Sequence, residues 1–137
     1  MAKQQKTIRF RVRYGETDQM GVVYHTNYVN WLEIGRTEFL RDASISYREL
    51  ETQGLLLPLT DVQVSYKSPA RYDDIVEVRT WIEQITPVRL DFGYEVYRDE
   101  QLLVSGTTKH VFTNLQFKPV RLPKLLPDLY EWLMGQA

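Results

Sequence analysis

Residues 26–41 carry a single long stretch of helical periodicity, and that stretch limits what the chain can become. Tyr28, Trp31, Leu32, Gly35, Phe39 and Leu40 recur at the spacing of one helix face, while Asn30, Glu33, Arg36, Glu38 and Arg41 point elsewhere. A helix with one apolar stripe must be covered on that side. Gly35 within the stripe lowers helix propensity, and close approach to something behind it, such as a sheet, accounts for its presence. Thr26 or Asn27 is expected to cap the first turn by accepting a free backbone N–H.

The rest of the chain reads largely as strands that can supply the cover. "TIRFRVRY" (7–14) alternates, with Ile8, Phe10, Val12 and Tyr14 on one face and Arg9, Arg11 and Arg13 on the other. Residues 55–69 alternate through Val62, Val64 and Tyr66, with Pro58 marking an edge or bulge near the start. Residues 74–86 alternate through Val76, Val78, Thr80 and Ile82, and 88–98 through Leu90, Phe92, Tyr94 and Val96. A polar hairpin turn at 98–101 leads to the last strand, 102–114. A short helix at 45–54 closes at Gly54, and "PDLYEWLMGQA" reads as a C-terminal helix with Pro127 in its first turn. Long strands joined by short turns pair antiparallel. The expected fold is therefore α+β: one antiparallel sheet of about five strands, covered on one face by one long helix.

Composition narrows the function classes. A length of 137 residues fits one domain over 1–137, and 43% apolar with 26% charged residues is the profile of a soluble globular protein. The net charge of −1 offers no global field for nucleic acid or anionic membrane. Zero cysteines remove disulfides, thiolate nucleophiles and zinc–thiolate sites together. No apolar run is long enough to insert into a membrane, and the N-terminus lacks a signal-type apolar segment, so the expected location is cytoplasmic. No glycine-rich phosphate loop and no G-x-S-x-G occurs. The three arginines of 7–14 read as a solvated outer face, with a phosphate-binding stripe as the alternative.

Chemistry concentrates in "ETDQMGVVYHTNY" (16–28), a turn that runs from the first strand into the helix. The helix N-terminus presents unpaired backbone N–H groups and positive dipole potential. A substrate carbonyl bound there could develop negative charge while the Asp18 carboxylate activates water or attacks the carbonyl carbon itself. The donor would be the backbone N–H near His25, and Gly21 would let the backbone come close to a ligand. The same residues also fit a plain structural role, with Asp18 as a turn or capping residue and His25 as a satisfied structural histidine. His25 and His110 lie far apart without a carboxylate pair at ligand spacing, so no metal is expected. His110, on a strand, reads as structural.

The longer stretch "YGETDQMGVVYHTNYVNWLEIGRTEFL" resembles the signature of the hot-dog fold acyl-CoA thioesterases, the 4-hydroxybenzoyl-CoA thioesterase and YbgC-like group. The resemblance rests on T-D-x-x-G-x-V-Y-H-x-x-Y followed by a helix ending in R-T-E-F-L. "VSYKSPARYDDIVEV" resembles the family's second segment, a strand leading to P-A-R-x-D-D, and about residues 7–115 are covered. The resemblance implies a curved sheet wrapped around the long helix. It also implies a homodimer or homotetramer with active sites at the subunit interface. The implied reaction is hydrolysis of an acyl-CoA to free acid and CoA without metal or organic cofactor.

Carried over by position, the family's catalytic aspartate falls on Asp18, as general base or nucleophile, and its helix donor on His25. In the YbgC-like branch that histidine is also proposed to orient water or protonate the thiolate. An aromatic residue stands there in the benzoyl-CoA branch, so His25 places this chain nearer the YbgC-like proteins. Gly21, Val22, Val23 and Tyr28 are expected to contact substrate. Tyr66, Lys67, Ser68 and Arg89, at the ends of neighbouring strands, are candidates to reach pantetheine or phosphate, with a solvated rim as the alternative. Pocket shape would depend on Tyr24, Tyr28, Trp31, Leu56 and Leu57. An acyl carrier protein could replace CoA as the carrier. Two other readings remain: a hot-dog dehydratase, which the aspartate-before-glycine motif fits poorly, and a non-catalytic acyl-thioester or carrier-protein binding module.

Overall fold

A computed structural model describes residues 4–43 and 47–137, apart from the side chain of Tyr47. Five strands form one antiparallel sheet: β1 (Gln5–Arg11), β2 (Leu59–Tyr66), β3 (Ile75–Ile85), β4 (Arg89–Arg98) and β5 (Gln101–Val111). Their spatial order is β1-β3-β4-β5-β2, so the first two strands in sequence stand at opposite edges. The long helix α1 (Thr26–Arg41) lies between those strands in the chain and packs across the sheet. Helices α2 (Tyr47–Thr52), α3 (Leu122–Leu125) and α4 (Pro127–Gln136) complete the description.

The sheet's covered face is the one the alternation marks. Val78, Thr80 and Ile82 of β3 stand opposite Val96, Tyr94 and Phe92 of β4 with buried side chains, Val76 of β3 is buried opposite Phe10 of β1, and Val104 and Thr108 of β5 continue the layer. Against it α1 buries the six residues of its stripe, Tyr28, Trp31, Leu32, Gly35, Phe39 and Leu40. Each large side chain so buried contributes on the order of 1.5–3 kcal/mol. Gly35 sits where α1 comes nearest the sheet: a Cβ there would fall 2.4 Å from Thr80 Oγ1 and 3.1 Å from Val78 Cγ1. Phe39 meets Phe92 and, on its other side, Trp132 of α4, each edge to face.

The edges depart from the simplest expectation. β2 is an edge strand with a register shift between Leu59 and Asp61, in keeping with Pro58 just before it. β1 ends at Arg11, and Tyr14 does not continue its buried face: it lies in a short 3₁₀ turn (Tyr14–Glu16), 77% exposed, against the ring of Tyr72. The chain leaves the sheet after Val12, whose N–H bonds the Asp74 carbonyl at 2.8 Å, so the side-chain alternation has no ladder to sustain it at Tyr14. Arg9, Arg11 and Arg13 are ion-paired with Glu77, Asp73 and Glu16 respectively, which fits an outer face rather than a phosphate stripe. The short second helix begins at Tyr47 and is closed near Gly54 at φ +87°; positions 45 and 46 of its expected span lie outside the described residues.

Candidate active site

Residues 16–24 fold back on themselves between the first strand and α1. Thr17 and Val23 form an antiparallel bridge, the Asp18 N–H donates to the Val22 carbonyl at 2.9 Å, and the Gly21 N–H returns to the Asp18 carbonyl at 3.0 Å. The turn needs a left-handed residue, which Gly21 supplies at φ +81°. Asp18 takes part with its side chain as well: Oδ1 accepts the Met20 N–H at 2.8 Å. That bond orients the carboxylate, and no described residue bonds Oδ2.

The returning arm is held from its other side. Val22 bridges Arg71, the Val23 N–H donates to the Ala70 carbonyl at 2.8 Å, and the Ala70 N–H donates to the Tyr28 hydroxyl at 2.9 Å. Burial pushes the Tyr28 hydroxyl above its ordinary pKa, so it remains protonated at neutral pH. The segment after β2 is anchored to the β4–β5 hairpin. Arg98 donates to the Pro69 carbonyl at 3.1 Å and to Asp74 Oδ2 at 2.8 Å, and the Gln101 amide donates to Ser68 Oγ at 3.1 Å.

The start of α1 is uncapped. Neither Thr26 nor Asn27 accepts the expected bond: His25 is the N-cap residue, already helical at φ −56°, ψ −30°, and the Asn27 amide donates instead to the Glu16 carbonyl at 2.8 Å. Asn27 N–H reaches Tyr24 O and Tyr28 N–H reaches His25 O, while the N–H groups of His25 and Thr26 have no acceptor among the described residues. These are the orphan donors at the positive end of a 16-residue helix dipole. The His25 carbonyl accepts a second bond, from the Tyr66 hydroxyl at 3.0 Å, and the His25 ring lies against Tyr24 and Tyr66.

Asp18 and His25 line one cleft of about 310 Å³, together with Val22, Val23 and Tyr28 from the same stretch of chain. Tyr66, Lys67 and Ser68 arrive from the end of β2. Gly21 shapes the adjoining turn without entering the lining. Arg89 is not brought to the cleft: it starts β4, at the far end from Arg98, and pairs with Asp91 at 3.9 Å. Leu56 and Leu57 precede the other end of β2, and Trp31 is buried beneath the helix. Met20 and Pro69 also line the cleft, although neither residue type carries a sequence signal for binding. Among the described residues no group of three or more His, Cys, Asp or Glu is placed to hold a metal ion, and no helix is long and apolar enough to cross a membrane.

Comparison with known proteins agrees with this architecture. The sequence model of the Thioesterase-like superfamily matches residues 12–133. The YneP protein of Bacillus subtilis is 40% identical over 119 residues, covering 85% of this chain and 86% of that protein. The acyl-CoA thioester hydrolase YbgC of Escherichia coli O157:H7 is 35% identical over 116 residues, covering 83% and 87%. Among solved structures, a DHNA-CoA thioesterase from Staphylococcus aureus superposes with a TM-score of 0.88 at 34% identity, over 96% of this chain and 91% of that one. A helix wrapped by a five-stranded antiparallel sheet, this family match and these relatives agree: the chain belongs to the thioesterase-like superfamily, as a hot-dog enzyme of the YbgC-like acyl-CoA thioesterase group.

Proposed function

We propose that the protein hydrolyses an acyl-CoA to the free acid and CoA with Asp18 as the reacting carboxylate. The thioester carbonyl oxygen accepts from the backbone N–H groups of His25 and Thr26, where negative charge is stabilised as the carbon becomes tetrahedral; each such donor is worth roughly two to three powers of ten in rate. Asp18, through its free Oδ2, either takes a proton from the attacking water or attacks the carbon and is released by water in a second step. The thiolate leaves and is protonated from solvent or by the His25 imidazole. Supporting the reading is one observation: the oriented Asp18 carboxylate shares a cleft with His25, at the start of a helix whose first N–H groups have no acceptor among the described residues.

The bond from Met20 N–H to Asp18 Oδ1 also favours a second reading, a non-catalytic acyl-thioester or carrier-protein binding module in which Asp18 only shapes the turn. A screen of acyl-CoA and acyl-carrier-protein thioesters for thiol release separates the two. Turnover above the buffer rate supports hydrolysis, and saturable binding without release supports the module.

The working form is a homodimer or homotetramer of this one domain in the cytoplasm. β2 is an exposed edge, and pairing it about a two-fold axis covers its free N–H and C=O groups. An antiparallel pairing centred on that strand sets Leu59 of one copy beside Tyr66 of the other, so the partner closes the open side of the cleft. Light scattering at micromolar concentration should give at least a dimer mass; a monomer contradicts a shared site.

A further inference from the structure

Glu16 ties the loop that carries Asp18 to the helix whose N-terminus faces the same cleft. Its side chain is only 12% exposed. Oε2 accepts the indole N–H of Trp31 at 2.8 Å, and Oε1 accepts the Arg13 N–H at 2.8 Å, with the Arg13 guanidinium 3.6 Å away. The Glu16 carbonyl accepts from Tyr24 N–H at 2.9 Å and from the Asn27 amide at 2.8 Å. One residue, two positions before Asp18, is thus bonded to both flanks of the catalytic turn and to the second turn of α1. Trp31 makes a firm anchor because it is 1% exposed and its ring is held edge to face by Phe10 and Tyr28. Burial alone would push the Glu16 carboxyl up. The Arg13 N–H, the Trp31 indole and the Arg13 charge outweigh it and hold the pKa below its ordinary value. The group is an anion at neutral pH with both oxygens committed.

We propose that Glu16 is a positioning residue, which through Trp31 holds the Asp18 carboxylate in register with the backbone donors of His25 and Thr26. The inference rests on the reading of those groups given above. Reactive alignment is steep in distance, and a displacement of about 1 Å by a remote change can cost on the order of a hundredfold. A link that acts through alignment should therefore appear in kcat and leave KM almost untouched.

Glu16→Gln must surrender one of the two acceptor bonds, because an amide has a single acceptor oxygen; Glu16→Ala surrenders both. Trp31→Phe removes the same donor and keeps a ring. Steady-state kinetics are measured for each on the best acyl-CoA, well below its unfolding midpoint. The expected result is kcat lower by roughly tenfold for Glu16→Gln and roughly a hundredfold for Glu16→Ala, with KM within about twofold. Glu16→Ala combined with Trp31→Phe should be little worse than Glu16→Ala alone, which has already lost the Trp31 bond. Glu77→Gln is the control. That carboxylate is also well covered and paired, with Arg9 and Arg79, but on the outer face of the sheet, so its loss should lower stability and leave kcat unchanged. If the Glu16 variants behave as Glu77→Gln does, Glu16 is structural and the proposal is wrong. Asp18→Asn in the same series distinguishes the two failures: if it keeps full kcat, the reading of the site falls; if it is inactive while the Glu16 variants are normal, only the positioning role falls.

Discussion

His110 Nε2 lies 2.9 Å from the Thr108 hydroxyl in the covered face of the sheet. Thr108 Oγ1 is in turn 2.6 Å from the Tyr94 hydroxyl, and His110 Nδ1 is 3.2 Å from the Leu57 carbonyl. A carbonyl can only accept, so Nδ1 carries the hydrogen, Nε2 accepts from Thr108, and Thr108 accepts from Tyr94. That arrangement satisfies a neutral imidazole. Burial is the main reason its pKa falls to about 4; the Leu57 bond opposes that and the nearby Arg36 charge adds to it.

Stability should consequently fall on mild acidification. In the unfolded chain an imidazole titrates near 6.5, so below that pH the unfolded state binds a proton that the folded state refuses. The contribution of neutral His110 is complete above about 6.5 and is lost as pH falls towards about 4. Between pH 7 and pH 5 the loss is about 2 kcal/mol, ahead of the carboxylates Glu16 and Glu77, whose depressed pKa values matter only below their unfolded value of 4.5. Urea midpoints at pH 7, 6 and 5 measure it. A flat profile for the wild type, or the same slope in His110→Gln, contradicts the assignment.

Gly35→Ala should destabilise the protein although helix propensity alone favours it by about 1 kcal/mol. The new methyl meets Thr80 Oγ1 and Val78 Cγ1, and overpacking of this kind costs roughly 1–3 kcal/mol. Thr80 Oγ1 is buried without a hydrogen-bond partner, so adding Thr80→Ala to Gly35→Ala should recover stability. A thermal midpoint that rises in Gly35→Ala alone would show that the helix has room to move away.

His25→Ala should retain a substantial fraction of activity. Its backbone N–H survives the change, and a thiolate leaves readily without strong acid assistance. The expected loss is below about tenfold in kcat/KM, with the shape of the rate profile from pH 5 to 9 unchanged. A loss near a hundredfold with one limb of that profile missing would make the imidazole a catalytic residue.

Local periodicity carried most of the fold. The six stripe residues of α1 are the six it buries, because one sheet face is all they have to meet. Strands β3 to β5 follow from alternation for the same reason. Tyr14 misled because alternation continues past the point where the ladder stops. The cap was misassigned because Asn27 has a better partner in Glu16, a residue eleven positions earlier that no local rule connects to it. The lining of the candidate cleft was legible where it is contiguous, from Asp18 to Tyr28. Tyr66, Lys67 and Ser68 reach the cleft because β2 pairs with β5, and Arg89 stays away because β4 enters the sheet from its far end; both facts belong to topology.

The most direct test of the catalytic assignment is kcat of Asp18→Asn on the fastest acyl-CoA substrate, with folding checked by its unfolding midpoint. The amide keeps an oxygen to accept the Met20 N–H, so the turn should survive, while the base or nucleophile is lost. The predicted result is a folded protein whose turnover is lower by at least about two powers of ten. A folded Asp18→Asn protein that keeps more than about a tenth of the wild-type rate would contradict the role of Asp18.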